Sequence, residues 1–347
     1  MEKYIIAFLI ALMTSYILTP YAIKIAHRIG AIDVPKDNRR VHKTPIPRLG
    51  GLAIFSAFVI TSLVMIPVNK QLAGILVGAS MIVLIGIIDD VKQISAKYKL
   101  VVQIAAALVV IYSGVRIEYF SNPLNRGLIK VGIYSVPMTL FWIVGITNAV
   151  NLIDGLDGLA AGVSSIASIT LAVIAFSNGQ PEAALLLLIL AGGALGFLPH
   201  NFNPAKIFMG DTGSLLIGFV LATVSVAGVI KSATVIAVAI PVLALGIPVF
   251  DTAFAIARRL VNRRPIMEAD KGHLHHKLLD RGLSQKQTVL VLYSISGLLG
   301  ASAVFISDTN SRVGAYTVLT AVACIILYGA LRIGLVKKVV TEEKAKI

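Results

Sequence analysis

The most constraining feature of this 347-residue chain is a succession of apolar runs, each about as long as a membrane is thick. A helix needs roughly 20 apolar residues to cross the hydrocarbon of a bilayer. Runs of that kind lie near 4–23, 50–68, 71–88, 100–115, 134–150, 159–177, 183–199, 212–230, 233–257, 288–306 and 313–335. Composition agrees, with 57% hydrophobic and only 14% charged residues, and mean hydropathy is +0.87. A soluble domain of this size carries nearer a quarter charged residues. A single cysteine, Cys324, excludes a disulfide-rich secreted scaffold. The expected fold is all-α, a polytopic integral membrane protein of about eleven transmembrane helices. The first run lacks the basic flank and small-residue cleavage site of a signal peptide, so it counts as a span.

Net charge is nonetheless +14. If loop 24–48 is placed inside and the sides alternate, 24 of the 31 Lys and Arg fall on that side. The positive-inside rule then expects the N-terminus outside and the C-terminus in the cytosol. No internal repeat of the transporter kind is visible, and stretch 116–135 reads as a short loop or hairpin.

The acids are scarcer. Asp89 and Asp90 close the third run, Asp154 and Asp157 follow the fifth, and Asp211 opens the eighth. All five fall at cytosolic ends in this topology. Any one of them could simply mark a helix end in the headgroup layer. Five on one face, beside Asn and Gly, point to a site. Gathered carboxylates repel one another, and a divalent cation relieves this; Mg²⁺ takes one or two carboxylates with waters and phosphate oxygens. Asn148, Asn151, Asp154 and Asp157 recur every three residues, which on a helix makes one drifting stripe. Asn201 and Asn203 form an amide-rich loop before Phe208, an aromatic placed either to stack on a base or to pack.

The largest cytosolic loop, 258–287, holds His273, His275 and His276 among Arg and Lys. Zinc ligation, hydrogen bonding to phosphate or sugar oxygens, and a plain basic loop all remain open, with phosphate or sugar contact favoured by the absence of cysteine nearby. The basic 24–48 loop, with Arg39 and His42, ends in Gly50-Gly51 at a helix start, which suits an anion as well as a topology signal. Together these features fit a Mg²⁺-dependent phosphoryl transfer between a soluble phosphorylated donor and a lipid phosphate. An ion-coupled transporter is the rival class; Asp251, after Pro248 in the ninth run, is the one acid placed for it. The Asp-Gly-x-x-Ala-Arg signature of CDP-alcohol phosphotransferases is missing, since Asp157-Gly158-Leu159-Ala160-Ala161 is followed by Gly162.

Four motifs together, Asp89-Asp90, Asn148 to Gly158, Asn201 to Gly213 and His273 to His276, resemble in order and spacing the polyprenyl-phosphate N-acetylhexosamine-1-phosphate transferases of glycosyltransferase family 4. The likeness runs over roughly residues 20 to 290. The His-x-His-His form and eleven spans are similar to the N-acetylglucosamine branch more than to the phospho-N-acetylmuramoyl-pentapeptide translocase, and Arg39-Arg40-Val41-His42 looks most like the enzymes that start wall teichoic acid synthesis. The resemblance implies a single membrane-embedded transferase domain over 1–347, in the bacterial plasma membrane, with loops 24–48, 89–99, 151–158, 199–211 and 258–287 forming a cytosolic active-site face. The implied reaction moves N-acetylglucosamine 1-phosphate from UDP-N-acetylglucosamine to undecaprenyl phosphate and releases UMP. It also implies Mg²⁺, with Mn²⁺ as a substitute, held mainly by Asp211. Asp89, Asp90 and Asp154 would be catalytic, and Lys99 would contact a phosphate. Asp157 and Phe208 would hold uracil. Asn148, Asn151, Asn201, Asn203, the three histidines, Arg39 and His42 would complete substrate binding. A homodimer is compatible with the pattern, and nucleic acid has no place in it. The family often has a third polar residue soon after its Asp pair; Lys92 and Gln93 stand there in this chain.

Overall fold

The computed structural model describes residues 1–34, 45–121, 128–230, 238–265, 272–309 and 311–333. The chain is helical almost throughout, with α1 Glu2–Ile29, α2 Gly51–Met65, α3 Lys70–Lys92, α4 Ala96–Tyr112, α5 Ser135–Leu152, α6 Leu159–Ser177 and α7 Pro181–Asn201. The remaining helices are α8 Gly210–Ser225, running into a π turn Val226–Ile230, then α9 Ala239–Ala244, α10 Gly246–Val261, α11 Leu274–Leu279, α12 Gln285–Asp308 and α13 Arg312–Ile333. Among the described residues sheet is confined to two short antiparallel pairs, β1 Ile32–Asp33 with β2 Ile46–Pro47 and β3 Tyr119–Ser121 with β4 Leu128–Lys130. The second pair is the hairpin expected in 116–135.

Among the described residues eight helices are long and apolar enough to cross a membrane. Ten of the expected runs each fall on one continuous helical stretch, α2 with 15 residues being the shortest. The run at 233–257 does not: its described part divides into α9 and α10, with Leu245 between them. Proline is the cause. Pro248 has no N–H to return to the carbonyl four residues back, and Pro241 sits inside the short α9.

Helix ends follow local chemistry. The Asn69 side chain accepts from Leu72 N at 2.8 Å to start α3, Pro181 occupies the first turn of α7, and Ser284 with Gln287 forms a capping box on α12. Helix α1 stops at Gly30, whose φ of 76° is open to glycine at little cost.

Helix α8 is the axis of the bundle. Burial covers 94% of its apolar window against 11% for α13, so α13 presents its apolar surface outward, as a lipid-facing helix does. Close crossings depend on small residues: at Gly192 and Gly196 a methyl group would strike the carbonyls of Phe8 and Leu12 on α1. The C-terminal ends of α3, α5, α7 and α10 and the N-terminal ends of α2, α4, α6, α8 and α12 meet at one end of the bundle. The polar residues collect there.

Candidate active site

The site is built on the first turn of α8. Gly210 has φ +71°, and a side chain there would collide with the Asp90 carboxylate, so only glycine can open this helix. Asp90, from the last turn of α3, caps α8 across the interface. Its Oδ1 accepts from Asp211 N at 3.0 Å, and its Oδ2 accepts from Thr212 N at 3.1 Å and Thr212 Oγ1 at 2.6 Å. The Arg48 guanidinium completes the set, 3.2 Å from Oδ1. With no exposed surface on its side chain, Asp90 is spent on protein donors. It faces α8, and its neighbour keeps the exposed surface.

That neighbour is Asp211, whose Oδ2 lies 2.7 Å from Lys99 Nζ. Asn151 Nδ2 donates to Asp211 Oδ1 at 3.2 Å and to Ser214 Oγ at 2.8 Å. Lys99 also reaches Asp89 Oδ2 at 3.3 Å, while Asp89 Oδ1 accepts from Ile94 N at 2.9 Å. The last bond depends on Gln93, whose φ of 51° turns the chain out of α3. One ammonium thus bridges two carboxylates from α3 and α8. Lys99 and Asp211 keep 21% and 15% of their side-chain surface exposed, so this pair, unlike Asp90, is open to a ligand.

Behind it, Gln103 and Asn148 exchange amide hydrogen bonds, Asn148 Nδ2 to Gln103 Oε1 at 2.6 Å and Gln103 Nε2 to Asn148 Oδ1 at 3.3 Å. Gln103 lies one turn beyond Lys99, and Asn148 one turn before Asn151. The pair therefore pins α4 to α5 and aligns the two residues that reach Asp211. Asn148 is consumed in that pairing and in a bond to Val144 O at 2.8 Å.

The stripe expected from Asn148 to Asp157 holds only for its first half. Helix α5 ends at Leu152, and Asp154 and Asp157 sit in the turn before α6, where Gly158 takes φ +80°. Glycines at 155 and 158 favour a turn over a further helical round. Asn201 fastens that turn to the next loop, accepting from Gly158 N at 3.0 Å and donating to Ile207 O at 3.0 Å. Asp157 Oδ2 accepts from Asn203 Nδ2 at 2.9 Å and Ala205 N at 3.1 Å, and Asn203 also donates to Gln285 Oε1 at 2.8 Å. Tyr293 OH donates to Gly158 O at 2.5 Å.

Burial, then the Asp211 and Asp90 carboxylates, push the Asp154 carboxyl up to about 7, against the opposing pull of Arg48. The folded state thus binds a proton there that the unfolded chain, near 3.8, gives up earlier. This contribution to stability is complete below about pH 3.8 and is lost as pH rises to about 7. Thermal unfolding of the metal-free protein in detergent should show that loss, and Asp154→Asn should remove part of it. An unchanged pH slope in the variant would exclude Asp154 as its source.

The histidines divide. His273 Nδ1 lies 2.7 Å from Asp251 Oδ2. His275 packs on the Asp154–Asp157 turn, where a methyl group at Gly155 would lie 2.6 Å from its Nε2. The His276 ring lies 4.2 Å from the His275 ring, tilted by 43°. Burial, then the nearby His276, push His275 down to about 3, so it is neutral at ordinary pH and offers one N–H.

A further expectation changes. The Gly50-Gly51 donors are not open to an anion: Gly50 N bonds Phe208 O at 3.0 Å and Gly51 N bonds Met209 O at 2.9 Å, while Phe208 N bonds Pro47 O at 2.7 Å. A side chain at Gly51 would strike Gly213, so these glycines bring α2 against α8. Phe208 is half-buried, and its backbone carries this pairing. Arg39 and His42 lie outside the described residues. Sequence reasoning did not single out Arg48, Gln103, Ser214, Gln285 or Tyr293. Gln103 alone carried a readable signal, a lone amide in an apolar helix four residues after Lys99.

Among the described residues no group of three or more His, Cys, Asp or Glu converges as a metal cage. Two carboxylates at a partly open mouth, Asp211 and Asp89, are nevertheless the donor set of a hard cation that takes its remaining oxygens from water and phosphate.

The sequence pattern of Glycosyl transferase family 4 matches residues 72–229. The chain is 43% identical over 311 residues to a Bacillus subtilis protein named "Probable undecaprenyl-phosphate N-acetylglucosaminyl 1-phosphate transferase", covering 89% of this chain and 87% of that one. It is 37% identical to the decaprenyl-phosphate N-acetylglucosaminephosphotransferase of Mycobacterium tuberculosis, covering 87% and 83%. It is 33% identical to the phospho-N-acetylmuramoyl-pentapeptide-transferase of Staphylococcus aureus, covering 84% and 96%. Identities of this size across nearly the whole length, together with the pattern match over the segments that carry Asp89, Asp154 and Asp211, place this multi-pass membrane protein in glycosyl transferase family 4.

Proposed function

We propose that the chain transfers N-acetylglucosamine 1-phosphate from UDP-N-acetylglucosamine to undecaprenyl phosphate, releasing UMP and starting a lipid-linked envelope glycopolymer. The observation that carries this reading is the Asp89–Lys99–Asp211 bridge at the polar end of a lipid-facing bundle. A charged bridge with partial exposure suits reactants that arrive from both water and lipid. The excess of Lys and Arg on that side supports a cytosolic site in a bacterial plasma membrane.

Two anions must meet in this reaction. An oxygen of the acceptor phosphate attacks the sugar-bearing phosphorus of the donor, the bond from that phosphorus to the UMP oxygen breaks, and UMP leaves with that oxygen. A phosphate monoester loses its second proton near pH ~6, so the acceptor needs little help from a base. The requirement is neutralised charge and in-line alignment. Asp211 and Asp89 would hold Mg²⁺ or Mn²⁺, which when bound supplies positive charge between the two phosphates. Lys99, displaced from one carboxylate, is placed to meet a phosphate oxygen. Asn151 keeps Asp211 oriented through this exchange. Asp89 would accordingly position cation or acceptor for a single displacement. The loop tied by Asp157, Asn203 and Ala205 offers an amide-lined wall for the nucleotide, and His275, on the first turn of α11, packs on Gly155 of the same turn as Asp157.

Purified protein incubated with UDP-N-acetylglucosamine, undecaprenyl phosphate and Mg²⁺ is expected to release UMP, and to lose that activity with EDTA. Failure to release UMP under these conditions overturns the reading. A preference for UDP-N-acetylmuramoyl-pentapeptide would move the chain to the branch of its Staphylococcus aureus relative.

A further inference from the structure

Asp251 lies outside the bridge and the nucleotide wall. It is 4% exposed on α10, and a carboxylate so deep is retained only where its partners are good. Both of its oxygens are used on one loop. Oδ2 meets His273 Nδ1 at 2.7 Å, and Oδ1 accepts from Leu274 N at 2.7 Å. Two turns along the same helix, Arg258 packs on this loop as well, since a methyl group at Gly272 would strike its guanidinium. Helix α10 thus grips residues 272–274 at two points, and His275 and His276 follow on α11 toward Gly155. A carboxylate on Nδ1 holds the proton there and leaves Nε2 as the atom that can meet a ligand.

We infer that Asp251 is a positioning residue for the transfer: it sets the tautomer and rotation of His273 and, through Leu274, the placement of the histidine loop against the donor. The inference rests on the transfer reading above. Asp251→Asn tests it with little change in volume. The oxygen of the new amide stays on Leu274 N–H, so its NH₂ faces His273 Nδ1 and moves the ring proton to Nε2. The fold is kept while the tautomer is reversed.

The expected result is a fall in kcat/KM for UDP-N-acetylglucosamine of about ten- to a hundredfold, the range for one charge-assisted hydrogen bond. The KM for undecaprenyl phosphate and the thermal midpoint in detergent should stay near wild type. Because Asp251 acts through His273, Asp251→Asn combined with His273→Ala should match His273→Ala alone to within about twofold. Wild-type kinetics in Asp251→Asn, multiplied rather than shared losses in the double variant, or a change confined to the acceptor KM would each overturn the inference. So would a lowered midpoint with full activity per folded molecule, which would assign Asp251 to stability alone. Wild-type protein that releases no UMP would count against the transfer reading; an active wild type with an indifferent Asp251→Asn would count only against this inference.

Discussion

Asp211→Asn is expected to reduce UMP release by about a thousandfold or more, the scale of losing a principal electrostatic group at the reacting centre. The argument is local. Asp211 Oδ2 faces the Lys99 ammonium and Oδ1 faces the Asn151 amide, both of them donors. An asparagine can satisfy one and must turn its own NH₂ toward the other. It also removes one of the two carboxylates available to a cation. The backbone is little disturbed, because the amide of residue 211 stays bonded to Asp90. Steady-state UMP release and thermal unfolding, measured on the same preparation, separate these effects. A variant that retains a tenth of wild-type activity would remove Asp211 from the centre of the reaction.

The second large effect belongs to Asp90, and it is of a different kind. Asp90→Ala leaves Asp211 N, Thr212 N and Thr212 Oγ1 without their acceptor and strips Arg48 of a partner 3.2 Å away. Breaking a buried ion pair costs about 3–5 kcal/mol, and losing a helix cap about 0.5–2 kcal/mol. The variant should therefore unfold at a markedly lower temperature. Its activity should fall because the first turn of α8, which aims Asp211, is untied. Asp90→Asn, which keeps the shape and part of the acceptor capacity, should lose less of both. If Asp90→Ala keeps its thermal midpoint and loses all activity, Asp90 contacts substrate and the capping account is wrong. The two adjacent aspartates thus separate by experiment: one orients a helix, the other faces the reactants.

Other residues show the same division between what a sequence reveals and what it hides. The pairing of 119–121 with 128–130 and ten of the eleven apolar runs were legible because hydropathy and turn chemistry are properties of consecutive residues. The break near Leu245 was legible in part, since Pro241 and Pro248 stand in plain view. The Asn148–Asp157 stripe breaks at its end, where α5 stops at Leu152 and two glycines favour a turn, although the spacing alone suits a continuing helix. Gly50-Gly51 looked like an anion cradle and proved to be a close helix crossing, which no local pattern distinguishes. Asn148 and Asn201, expected at the substrate, make ties between elements that no local pattern announces.

The order of apolar runs, the bias of basic residues to one side and the motifs that gather acids, amides and histidines at alternate span ends were determined by sequence alone. They follow from membrane solvation, which acts on each segment separately. Which aspartate caps α8, which two share Lys99, and which histidine turns to Asp251 were decided only by the tertiary structure. These are matters of two or three ångströms between side chains from different helices, and charge interactions at that range depend on distances that packing sets.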